Sequence, residues 1–264
     1  MSHTGALLAQ QDYSPFYQEG SDSLAGDAAA AGALLDTAGW TMDTSLETCV
    51  DTDSSGDDCT FTPGDSSSCG AGCDYSPPKR TDSNGNVLTL HLVAYTARPG
   101  LPIMQPVIAS ALTALGITVT STTTDNWGDH DAIMAARSWD LLMWAQNTLP
   151  AGDPLWFLNH FFHSGGSDTS GYCGTGCKGN NFMNLDSAAV DSALDALSLA
   201  GPGAPRVAAS AAVQTAILAE RAVSNLVTPF WHVSLSDRFR GEETVMLSQF
   251  VAPSVSLTLH VSPL

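Results

Sequence analysis

From Leu24 onward the apolar positions fall into two periods, and these divide the chain into elements. Leu24, Ala28, Ala31, Leu34, Leu35 and Ala38 recur at helical spacing before Gly39, which predicts an amphipathic helix over 24–38 with a glycine stop. Val87 to Thr96 alternates and is rich in β-branched residues, with Asn84-Gly85 as the turn before it, so a strand is expected there. Pro102 to Leu115 predicts a helix closed by Gly116, and Ile117 to Thr124 a second strand. Asp129 to Arg137 reads as a further helix and Trp139 to Trp144 as a third strand. Strand, helix, strand, helix, strand is the signature of parallel crossovers, hence of an α/β fold. Beyond it, Ser187 to Leu199 and Val207 to Leu226 read as helices separated by Gly201-Pro202-Gly203-Ala204-Pro205, and Pro229 to Ser234 and Val255 to Val261 as returning strands.

Between the first helix and the first strand, residues 41–86 hold four cysteines, many Ser, Thr and Gly and a high density of acidic groups, which predicts a long loop without packed elements. The six cysteines form two groups, Cys49, Cys59, Cys69 and Cys73 in this loop and Cys173 with Cys177 in a later Gly-rich one. An even count confined to polar loops points to disulfides formed in an oxidising compartment, with the connectivity open. Zinc is the rival, but no His stands at finger-like spacing and no Cys-x-x-Cys pair is present.

Charge narrows the partners. Nine Lys and Arg against 27 Asp and Glu give a net charge of −18, a field that repels nucleic acid and anionic membranes. The 264 residues, 44% of them hydrophobic, suffice for a real core. The first 30 residues do not form a signal peptide, so an exported protein would be represented here by a mature form, a fragment or a chain missing its start.

Chemistry concentrates at the exit of the third strand. Trp139-Asp140-Leu141 runs to Trp144, turns through Asn147, Pro150 and Gly152, and enters Asp153-Pro154-Leu155-Trp156-Phe157-Leu158 and His160-Phe161-Phe162-His163. Open α/β sheets bind ligands at strand exits, so Trp144 is the candidate ligand-contacting ring. Trp139, Trp156, Phe157 and Phe161 are expected in the core. His160 and His163, three residues apart, form a weak metal pair with no third ligand in sequence. Asp51 to Asp58 resembles the start of a calcium loop, but Thr62 replaces the acidic residue an EF-hand needs. No nucleophile elbow, phosphate loop or His-Glu-x-x-His is present, and the Gly-x-Gly-x-x-Gly at Gly174, Gly176 and Gly179 follows no expected strand. No cofactor and no catalysis are therefore expected.

The order of motifs resembles the second lobe of the extracellular solute-binding proteins of family 5, the peptide and nickel receptors of ABC importers. The resemblance is carried by Ala31, Leu34, Leu35, Ala38, Gly39 and Trp40, then by Leu88-Thr89-Leu90. It continues through Leu112, Leu115, Gly116, Ile117 and Val119, through Trp139-Asp140-Leu141, Trp144, Asp153-Pro154, Phe157 and Leu158, and through His163-Ser164-Gly165, Asn181, Val190 and Asp191. Ile217, Leu218, Glu220, Pro229, Phe230 and Trp231 complete it.

This resemblance implies a periplasmic-binding-protein-like lobe, a mainly parallel sheet flanked by helices, with disulfide-stapled loops added. It divides the chain into an extended lead-in (1–22), the lobe (23–228, including the Cys-rich loop 41–86) and returning strands (229–264) that would complete the first lobe or its hinge. It further implies non-catalytic capture of short peptides or similar small solutes for the membrane subunits of an ABC importer, in the periplasm or outside the cell. Trp144, Asn147 and Asp153 would be the ligand-binding residues, and a first lobe or partner chain would be required. A metal or metal-chelate receptor, and a secreted stapled interaction protein without transport role, are the alternatives. Family peptide receptors often place an acidic residue after the strand-end Trp; here Asn147 stands there, or the match slips further along toward Asp153, and an amide brings no charge to a peptide amine.

Overall fold

The computed structural model describes residues 15–16, 27–51, 59, 61–70, 72–146, 148–149, 152–166 and 180–226. The expected strands after residue 228, the acidic stretch 52–58, Asn147, Cys173 and Cys177 lie outside the described residues. The chain divides into two compact units, one within Ala25–Gln146, the other formed by Phe16 with residues from 148 onward.

The first unit opens with helix α1 (Ala28–Thr37). Asp27 caps it by accepting from the Ala30 amide at 2.8 Å, and Gly39 at φ 89° ends it. The expected apolar stripe is not buried: no residue of α1 is fully enclosed, and Leu34 is 57% exposed. What holds this end is polar. Arg80, 5% exposed, pairs with Asp36 at 2.6 Å and donates to the Leu115 carbonyl at 2.8 Å and to the Trp40 carbonyl.

The cysteine-rich stretch corrects the expectation of a loop without elements. Strand β1 (Thr41–Asp43) pairs antiparallel with β4 (Lys79–Thr81), and β2 (Thr48–Asp51) with β3 (Cys73–Ser76). Cys49–Cys69 and Cys59–Cys73 are disulfides. Glu47 is buried, its carboxylate accepting from the Tyr75 hydroxyl at 2.6 Å and the Gly64 amide at 2.9 Å. Strand propensity is low across this Ser/Gly-rich stretch, so crosslinks and one buried carboxylate replace an apolar core.

The centre of this unit is a parallel sheet in the order β6-β5-β7, made of β5 (Thr89–Tyr95), β6 (Thr118–Thr124) and β7 (Leu141–Leu142). Leu92, Val93, Ala94 and Tyr95 are successive and each at most 4% exposed, so both faces of β5 are covered, as in parallel sheets generally. Helix α2 (Gly100–Ala114) joins β5 to β6 and packs on both. Its Gln105 is buried, donating to the carbonyls of Leu92 and Thr122 and accepting from the Thr123 hydroxyl. Helix α3 (Trp127–Ala136) starts at Asn126, whose side chain accepts from the Asp129 amide at 2.9 Å, and ends at Arg137, φ 50°. The third strand is shorter than expected; at its start Asp140 donates its amide to the His91 carbonyl at 3.0 Å while its carboxylate, in place of a backbone carbonyl, accepts the His91 amide at 2.7 Å.

The second unit is helical: α4 (Leu155–Phe162), α5 (Ala188–Leu199) and α6 (Ala204–Ala219). Phe157, Leu158, Phe161, Phe162, Val190, Leu194, Leu197, Val213 and Ile217 are its core, each at most 6% exposed. Helix α6 begins three residues earlier than the sequence suggests because Pro205 suits a first turn, where its missing amide costs nothing. Phe16 is 9% exposed, and its carbonyl accepts from the buried Gln214 amide at 3.1 Å. No helix among the described residues is long and apolar enough to cross a membrane.

Candidate ligand site

The strand order places the site. After β5 the chain moves to one side for β6, then returns past β5 to β7, so the direction of winding reverses between β5 and β7. Open α/β sheets carry their binding crevice at the carboxyl ends of such a pair of strands. Tyr95 is the last residue of β5, and Trp144 follows β7 by two residues.

Around these two, the neighbouring elements supply further rings. Tyr95 stands 5.5 Å from Trp144, 5.1 Å from Trp127 at the start of α3 and 5.2 Å from His130, one turn further on, measured between ring centroids. Trp127 and Trp144 are 6.4 Å apart, and His130 and Trp144 are 5.9 Å apart at 31°. Tyr95 and His130 are buried at 4% and 1% exposure, whereas Trp127 is 50% exposed, so the cluster has a closed floor and an open indole. The Ala145 amide donates to the Tyr95 hydroxyl at 3.1 Å, fixing the segment that carries Trp144 to the end of β5. Beside the cluster is an open hollow lined by Tyr95, Ala97, Thr124, Asp125, Asn126 and Trp127. Such an arrangement can stack a planar group or hold an apolar or cationic one against indole.

Burial sets the electrostatics of the floor. It pushes the Tyr95 phenol up, opposed by its bond to Ala145 and by Arg98. It pushes the His130 imidazole below its ordinary value, with Asp131 opposing weakly. Nδ1 of His130 lies 3.3 Å from the Thr124 hydroxyl, and Nε2 has no partner among the described residues. A neutral imidazole packed among rings is the state this environment favours.

The sequence candidates fare differently. Trp144 sits in the ring cluster, half-buried, with its indole N–H 3.3 Å from the Gln146 side chain. Asp153 belongs to the helical unit, where its carboxylate accepts from the Leu155 amide at 2.9 Å and receives a two-pronged contact from Arg206 Nε and Nη2. Arg206 donates onward to the carbonyls of Leu197 and Ala200. That hydrogen-bonded guanidinium holds the Asp153 carboxyl below the usual carboxylate range.

His160 stacks on Trp156 at 4.8 Å and 17°. His163 accepts the Gly165 amide through Nδ1 at 2.9 Å and lies 3.6 Å from Asp191. Among the described residues these two histidines join no group of three metal donors. Phe157 and Phe161 are core residues as expected, whereas Trp156 is 49% exposed, lying edge-on to Phe161 at 6.4 Å on the outer side of the helix. Trp139 is half-buried with its indole N–H enclosed and without an acceptor among the described residues.

Sequence reading missed Tyr95, Trp127 and His130. The available signal was positional: each lies at or just beyond the carboxyl end of a strand the sequence did reveal.

No protein-family model matches the sequence, and no curated protein matches it. Solved structures do. A nickel ABC transporter from Bacillus halodurans superposes with a TM-score of 0.57 at 18% identity, covering 84% of this chain and 37% of the other. An ABC transporter substrate-binding protein from Sinorhizobium meliloti gives 0.53 at 22%, covering 81% and 33%. NikA from Staphylococcus aureus, in complex with Ni(L-His)2, gives 0.51 at 18%, covering 83% and 35%. The chain thus spans about a third of the length of each of these proteins. It carries the fold of part of an ABC-importer substrate-binding protein.

Proposed function

We propose that this chain is the second lobe of a non-catalytic substrate-binding component of an ABC-type importer, working outside the cytoplasm with membrane subunits. The observation that carries the reading is the aromatic cluster of Tyr95, Trp127 and Trp144 at the winding reversal of a sheet with this fold. Trp144 and Trp127 serve as the platform on which a small solute lies, and His130 and Tyr95 hold them in place. The resemblance adds Asn147, whose neutral amide donates and accepts hydrogen bonds, and Asp153, which is paired with Arg206. The two disulfides suit an oxidising compartment.

Short peptides are one solute class. Small metal chelates are favoured by a separate observation: two of the similar structures are described as a nickel transporter and as a complex of nickel with histidine. Calorimetry with a tripeptide pool and with Ni(L-His)2 separates the two. Binding of either, weakened at least tenfold (about 1.4 kcal/mol) by Trp144→Ala, is the expected result. Equal affinity in wild type and Trp144→Ala would overturn the assignment of the platform.

A further inference from the structure

The hollow beside the ring cluster carries a charge that the rings alone do not use. Tyr95 and Ala97 line it from the exit of β5, Thr124, Asp125 and Asn126 from the exit of β6, and Trp127 from the start of α3. Two carboxylates stand near this rim, and they differ. That of Asp129 accepts from the Asn126 side-chain amide at 2.7 Å. That of Asp125 is exposed and makes no hydrogen bond or ion pair with the described residues. An exposed carboxylate is ordinarily just solvated, but this one shares its hollow with an indole. Trp127 packs on Tyr95 at 5.1 Å and is still 50% exposed, so ring surface remains open to a ligand there. An indole face and an uncompensated carboxylate on one hollow attract the same kind of group, a cation with enough apolar surface to lie against a ring. A bare metal ion needs several oxygen ligands, and this lining offers one carboxylate. An anion would face Asp125, and the Asp129 amide it could seek at the start of α3 is already taken by the Asn126 side chain at 2.9 Å. Arg98 is the opposing charge. Its field reaches the Tyr95 hydroxyl and its guanidinium donates to the Ala97 carbonyl at 3.3 Å, but it does not line the hollow. The net charge of −18 enriches cations around the whole chain.

We propose that Asp125 and Trp127 form a subsite for the ammonium group of an organic cation, the carboxylate supplying the charge and the indole the face, with buried Tyr95 as its floor. The subsite rests on the ring cluster being the ligand platform, and it adds the class of solute: one that carries an amino or trimethylammonium head. The same chemistry is offered by a small free cation and by the amine of a peptide.

Calorimetry on the full chain tests this with two matched pairs of probes. Choline is set against its neutral carbon isostere, in which tert-butyl replaces trimethylammonium, and trialanine against N-acetyl-trialanine. In at least one pair the charged member is expected to bind at least tenfold tighter. A preference in the choline pair alone assigns the source to free cations, one in the trialanine pair alone to peptide amines, and either supports the subsite. Asp125→Asn, which removes no bond to the described residues, is expected to erase the preference by weakening the charged member only. Trp127→Leu keeps an apolar group against Tyr95 and is expected to weaken the charged member at least tenfold. Equal affinity within both pairs would overturn the proposal, and so would a preference that survives Asp125→Asn. Absence of binding by all four probes would overturn it as well. The platform is judged separately: neutral probes, or Ni(L-His)2, bound in a manner that Trp144→Ala weakens would leave the platform standing while the ammonium subsite falls.

Discussion

Gly116 shows how much one position can carry. It stands at φ 85°, a region open to glycine and costly to other residues, and a Cβ there would come 2.8 Å from Met42 Sδ and 3.1 Å from Arg80 Cγ. Met42 can move aside, but Arg80 is tied to Asp36, Trp40 and Leu115. Gly116→Ala is expected to destabilise the first unit by about 1–3 kcal/mol, read as a lower urea midpoint at unchanged slope.

His130 gives a pH signature at the same scale. Burial depresses its folded-state pKa below 6.5, so the unfolded chain binds the proton more readily. Its contribution is whole above pH 6.5 and is lost as the pH falls from there toward the folded value. His160, also depressed by burial, acts in the same direction in the other unit. Urea unfolding from roughly pH 5 to pH 8 is expected to show stability rising with pH, and His130→Gln is expected to flatten that rise. An unchanged slope in the variant would refute the assignment. Asp153 has the opposite sign: its depressed carboxyl stabilises above its ordinary pKa of 3.8 and loses this as acid protonates it. Since its side chain is 38% exposed, the ion pair itself contributes little, below about 1 kcal/mol. Asp153→Ala is expected to show as a modest loss in thermal denaturation of the helical unit.

Among the elements, legibility followed the strength of local pattern. Strands β5 and β6 and helices α2, α3, α5 and α6 declare themselves through period and boundary residues, such as Ser187 and Gly116, although the Asn126 cap starts α3 two residues before the expected Asp129. The stapled module does not, because its short strands carry few β-branched residues and form by crosslinking, a long-range event without local period. The aromatic site was half legible. Trp144 ends a recognisable strand, but Trp127 and His130 meet it only because the winding reverses, which depends on strand order. Losing Cys49–Cys69, whose residues are 20 apart, is expected to cost about 3 kcal/mol by the chain-entropy account. Calorimetric scans of the paired Cys49→Ser, Cys69→Ser variant would measure this.

At the scale of the whole chain, the helical unit is discontinuous. Phe16 belongs with helices that begin more than 130 residues later, while the described residues of the stapled unit all fall within Ala25–Gln146. Phe16→Ala removes a ring only 9% exposed and is expected to cost the helical unit about 3 kcal/mol, leaving the stapled unit's unfolding unchanged. Two separable transitions in wild type, with only one shifted by the substitution, would be the observation.

The bond between Gln214 and Phe16 spans 198 residues, and that separation sets a clock on the ribosome. At 5–20 residues per second, Phe16 emerges roughly 10–40 s before its partner helix is made. Throughout that interval the stapled unit can complete its sheet, while Phe16 waits without the helix that covers it. A holding factor, or an export route that keeps the chain unfolded until synthesis is complete, would spare the nascent protein that exposure.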